Sequence, residues 1–172
     1  MPVSAASVGR LVVVSRQAGA SNQLRVFASR IENYLVQSAG GRTQIRAAIA
    51  RAESCTSSAG EAAVQVASVA DNRQSLLDQL GNLATPTSQA GQIASLLQSA
   101  LAHSIEADRH YVDWLNYVDG LGLGSCSLPA NDDYTLAQQQ DAAATAAKSA
   151  FVRAFNPVAR RFNLRTWSAT EI

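Results

Sequence analysis

The chain has 172 residues, 47% of them hydrophobic and 16% charged, with a formal net charge of +1. That length suits one domain with a real core, and so few charges and prolines exclude a disordered chain. The near-neutral balance gives no electrostatic case for nucleic acid, and no apolar run approaches the ~20 residues of a membrane helix.

Residues 1–21 read as a helical N-terminal segment, with Val8 and Leu11–Val14 as its apolar part. Arg10 and Arg16 flank that run, which is too short to span a bilayer, and it has none of the marks of a secretory signal. If the native protein is exported, we expect its signal or anchor to lie outside this sequence. From residue 22 a stronger pattern begins. Leu24, Ile31, Ser38, Ile45 and Ala52 repeat every seventh position, which predicts one helix running to about Glu53. Gly40–Gly41 falls inside it and predicts a kink or a close helix crossing.

The stretch SCTSSAGE breaks the pattern and supplies serine and threonine caps, with Glu61 suited to a first helical turn. A second helix over 59–83 would have the face Ala62, Val66, Ala70, Arg73, Leu77, Leu80 and Ala84, with Val69 and Leu76 on its flank. TPTS at 85–88 is a turn that caps a third helix through Thr87 or Ser88. That helix, residues 87–118, carries the clearest stripe in the chain: Ile93, Leu97, Ala100, Ser104, Ala107, Tyr111, Trp114 and Val118. Steps of three and four keep these on one face, and the helix would be roughly 48 Å long. A loop, GLGLGSCSLPAND, leads to a fourth helix from Asp132–Asp133, with a face of Leu136, Gln140, Ala143, Ala147, Phe151, Ala154 and Val158. Pro157 should kink this helix or end it near Asn156. Residues 163–172 form a tail whose Leu164 and Trp167, with Phe162 before them, can dock on the rest.

Four such helices with short links predict a single all-α domain, an antiparallel up-down-up-down four-helix bundle over residues 22–162. That topology brings the two cysteines, Cys55 and Cys126, to the same end, and we expect a disulfide between them rather than two free thiols. Such a bond implies an oxidising compartment outside the cytoplasm. The same topology gathers Arg10, Arg16, Arg25, Arg160, Arg161 and Arg165 at the end holding both termini. Glu53, Glu61, Asp113, Asp119, Asp132 and Asp133 gather at the cysteine end. The basic end would face an anionic membrane surface or be an ordinary solvated surface.

Two groups of residues could carry chemistry. His103, Glu106 and His110 lie on one sector of the third helix and are zinc ligands in kind, although the chain has no second copy of a Glu-x-x-His motif. Arg73 is the more unusual residue, because it falls at the centre of an apolar face, where a guanidinium needs a partner. Asp108, Glu106 and Lys148 fall at its level of the bundle. Arg73 is therefore a structural ion pair or an anion-binding position, with Asp108, Tyr111 and Trp114 as further candidate ligand contacts. No phosphate loop, catalytic triad or HExxH occurs.

A long-helix bundle with both termini at a basic end and no catalytic motif resembles the extracytoplasmic four-helix sensor-type domains of bacterial membrane proteins. The likeness covers residues 22–162 as architecture. It implies a non-enzymatic domain without a cofactor, anchored or secreted, that binds a small ligand or a protein partner, and it is compatible with a homodimer. The alternative is a metal-binding or redox bundle using His103, Glu106 and His110.

Overall fold

The computed structural model describes residues 6–122 and 126–172, with side chains from Gly19 onward. Five helices follow in order: α1 (Ala6–Ser38), α2 (Gly41–Glu53), α3 (Ala59–Gly81), α4 (Ser88–Gly120) and α5 (Asp132–Arg161). No strand occurs among the described residues. Helices α1 and α2 share one arm of a four-helix bundle, and α3, α4 and α5 supply the other three.

Local chemistry sets the helix ends. Ser58 accepts from the Glu61 backbone N–H while the Glu61 carboxylate accepts from that of Ser58, a reciprocal cap that starts α3. Thr87 caps α4 through Ala90, and Asn131 caps α5 through Tyr134, with Asp132 and Asp133 in the first turn. Gly60 donates its N–H to Asp119 near the end of α4 at 2.9 Å, which ties the α3 start to the α4 finish.

Two expectations are corrected. The arm expected to be one helix to about Glu53, kinked at Gly40–Gly41, is two helices, because Gly40 adopts a left-handed φ of 89° that ends one helical run and restarts another. The N-terminal segment is helical from Ala6, and α1 passes through residues 21–22 without interruption. Pro157 does not end α5 near Asn156. The helix continues to Arg161, and the exposed proline sits in its last turns. Asn156 instead anchors the tail, donating to the Trp167 carbonyl at 2.8 Å and accepting from the Trp167 N–H at 3.0 Å.

The stripe on α4 is buried as expected, with Tyr111 partly exposed. The face of α3 is shifted toward Val69 and Leu76, leaving Leu77 half-buried, and Ala84, expected on that face, is exposed because the helix ends at Gly81. In α5 the first half is rotated by one position: Ala137, Ala144 and Lys148 turn inward, while Leu136 is 39% exposed. A run of alanines discriminates weakly between faces, so apolar spacing leaves the rotation of this half undetermined. Cys55 and Cys126 stand as a disulfide pair, their Cα atoms 5.2 Å apart. Residues 123–125 of the loop, and the side chains of Arg10, Arg16 and Leu11–Val14, lie outside the described residues. Of the other basic residues near the termini, Arg161 donates to Ser21, and Arg165 pairs with Glu171.

The core is divided in two. One cluster joins Phe27, Ile31 and Leu35 of α1 to Leu76, Leu97, Phe151 and Phe155, with Trp167 and Ile172 of the tail docked on it. The other joins α2 to Val66, Trp114, Leu115 and Val118 near the cysteines. Between them lies a polar waist, and its charged members Arg73, Asp108 and Lys148 are buried.

Candidate functional site

Arg73 projects from α3 into this waist and is 4% exposed; Asp108 of α4, 2% exposed, meets it. Arg73 Nη1 donates to both Asp108 oxygens at 2.7 and 2.6 Å. Gly41 makes room for the guanidinium, because a Cβ there would lie 3.2 Å from Arg73 Nη2 and 3.0 Å from Val69 Cγ1. The glycine break thus brings the start of α2 down onto the buried charge. Burial pushes Asp108 up to about 6 against the pull of Arg73, so the carboxyl is still ionised at neutral pH.

Lys148 of α5 is also 4% exposed, yet it makes no hydrogen bond or ion pair among the described residues. Burial, followed by the charges of Arg73 and Arg42, pushes it down to about 8, leaving it mostly cationic at neutral pH. It lines a cavity of about 150 Å³ in the seam between α2 and α5. Arg42 and Arg46 line it from α2, Asp141 from α5, Arg73 from α3 and Tyr111 from α4, with Ile45 and Ile49 as its apolar wall. Arg42 Nη2 donates to Thr145 Oγ1 at 3.0 Å, and Tyr111 donates its hydroxyl to Asp141 Oδ2 at 3.0 Å. Burial, together with that carboxylate, pushes the Tyr111 phenol up and keeps it protonated.

Of the ligand candidates from the sequence, Arg73 and Tyr111 line the cavity and Asp108 stands behind it as the partner of Arg73. Trp114 does not reach it. Its buried ring packs on Tyr134 at 4.7 Å, and its indole N–H donates to the Pro129 carbonyl at 2.9 Å. Glu106 points away, 3.5 Å from exposed Arg109. Sequence reasoning passed over Arg42, Arg46 and Asp141. The available signal was the spacing Arg42-x-x-x-Arg46 directly after the glycine pair, which places two cations on one face of a new helix.

The suggested metal trio is only partly assembled. His103 is engaged with Gln140 at 2.8 Å, whereas His110 lies 3.2 Å from Asp133 and 3.9 Å from Glu106. The group whose ligand atoms fall within 4.8 Å of one another is His110, Asp113 and Asp133. The seven-residue step from His103 to His110 shares a helix face but not a level, so one ion cannot be reached by both.

No helix among the described residues is long and apolar enough to cross a membrane. No family model, curated protein or solved structure matches this chain.

Proposed function

We propose that this chain is a non-enzymatic, extracytoplasmic helical-bundle domain that binds a small ligand in the waist cavity, as part of a membrane-anchored or secreted protein. The observation that carries the reading is Lys148: a side chain 4% exposed that makes no hydrogen bond or ion pair among the described residues, facing a cavity bordered by three arginines. Asp141 and Asp108 offset only part of the cost of holding this charge out of water beside Arg73 and Arg42, and a bound counter-charge would relieve more of it. The cysteine pair supports the compartment, because such a bond persists where thiols are not kept reduced. The test is thermal unfolding of the protein with a panel of small anionic, cationic and zwitterionic compounds. Saturable stabilisation by at least one of them, lost in Lys148→Met, is the expected result. A panel that shifts neither protein defeats the reading.

A second reading, a metal-binding bundle, rests on the convergence of His110, Asp113 and Asp133 rather than His103, Glu106 and His110. Stoichiometric zinc retained by the wild type and lost in His110→Ala would favour it.

A further inference from the structure

The hydrogen-bonding state of each cavity group narrows the ligand. Four cationic side chains, Arg42, Arg46, Arg73 and Lys148, surround the space, against the one lining carboxylate of Asp141. Asp108 offsets Arg73 from behind, so the lining as a whole still favours an anion and disfavours a cation. Lys148 has three donors and no acceptor among the described residues, and Arg42 has only one bond, to Thr145. The groups awaiting an acceptor thus come from both sides of the seam.

Asp141 is the informative exception. Its Oδ2 accepts from Tyr111, while its Oδ1 accepts no hydrogen bond among the described residues. A carboxylate oxygen facing an anion site repels a fully deprotonated ligand but can accept from one that keeps a proton. Sulfate, a phosphodiester and a simple carboxylate offer no O–H at neutral pH. Hydrogen phosphate offers one, together with oxygens for Lys148, Arg42 and Arg46. The cavity, at about 150 Å³, has the room of a few waters and suits a compact ion.

We propose that the waist cavity is a site for a protonated phosphate group, hydrogen phosphate itself, with Lys148, Arg42 and Arg46 holding its oxygens and Asp141 accepting its remaining proton. This rests on the ligand-binding reading above and names its chemistry. Arg73 is a positioning residue here: its bond to Asp108 fixes the guanidinium at the inner wall of the site.

The experiment is calorimetric titration of the whole protein with sodium phosphate and with sodium sulfate, at neutral pH and matched ionic strength, in a buffer free of both. Phosphate should bind saturably, and about tenfold or more tighter than sulfate, the ratio expected of one charge-assisted hydrogen bond. Glycerol phosphate, which is larger and has mostly lost its phosphate proton at neutral pH, should bind more weakly than free phosphate; tighter binding overturns the assignment in favour of a small phosphomonoester. Lys148→Met should abolish phosphate binding. Asp141→Asn should weaken phosphate and strengthen sulfate, because an amide can donate where the carboxylate could only accept. Sulfate binding as tight as phosphate in the wild type, or phosphate binding that survives Lys148→Met, overturns the proposal. If other compounds stabilise the protein through Lys148 and phosphate does not, the phosphate assignment fails while the ligand-binding reading stands. If nothing binds, both fail.

Discussion

Lys148 and Asp108 both enter the fold at a cost, and the sign of each cost fixes how stability should respond to pH. Lys148 falls to about 8 from its ordinary 10.5, so the unfolded chain binds more protons between those values. Its penalty is complete below about 8 and is relieved as pH climbs toward 10.5. Asp108 rises to about 6 from 3.8, so the folded chain binds more protons between those values, and its penalty is complete above about 6 and relieved as pH falls toward 3.8. Lys148→Met should therefore stabilise the ligand-free protein near neutrality, on the order of 2–3 kcal/mol, and remove the gain on the alkaline side. Urea unfolding across pH checks both. Arg73→Ala should act oppositely, costing ~3–5 kcal/mol because Asp108 is stranded. Arg109→Ala, at a side chain 59% exposed, should stay within about 0.5 kcal/mol. Equal losses for the two arginines would contradict the buried pair. The importance of Arg73 was legible in the sequence because a charge interrupted an apolar period. Lys148 was less so, since the alanines around it mark no face that it would violate.

At the scale of elements, the broken arm is the instructive case. Leu24, Ile31, Ser38, Ile45 and Ala52 are all buried, on both sides of the break. The seven-residue period therefore survives a change in backbone direction, and hydrophobic spacing alone could not reveal that Gly40 turns left-handed. The long stripe of α4 had no such interruption, and its periodicity described it well. Gly41 and Gly81 offer a contrast that follows from their surroundings. A methyl at Gly41 must displace Val69 or Arg73, whereas among the described residues nothing lies within 4 Å of one at Gly81. Gly41→Ala should lose about 1–3 kcal/mol, and Gly81→Ala should be neutral or gain up to ~1 kcal/mol. Denaturation midpoints of the two variants, compared at equal slope, decide this. A neutral Gly41→Ala would mean that α2 can lift away from α3 without loss.

For the whole molecule, the bundle and its cysteine pair were foreseeable together, because turn positions and helix lengths fixed which loops share an end. The waist cavity was not, since it depends on how far α2 and α5 stand apart, a distance no periodicity encodes. The cross-link spans a sequence separation of 71, and the loop-closure estimate for its loss is roughly 4 kcal/mol. Reductant should lower the urea midpoint accordingly, with the helical signal in buffer largely retained. The same bond also makes the chain covalently redundant. The link between α3 and α4, with Ala84, Thr85 and Pro86 exposed, lies inside the loop it closes. A protease that cuts there severs the backbone without releasing either piece. The nicked protein should run as a single band on a denaturing gel until reductant is added, and only then separate into two fragments.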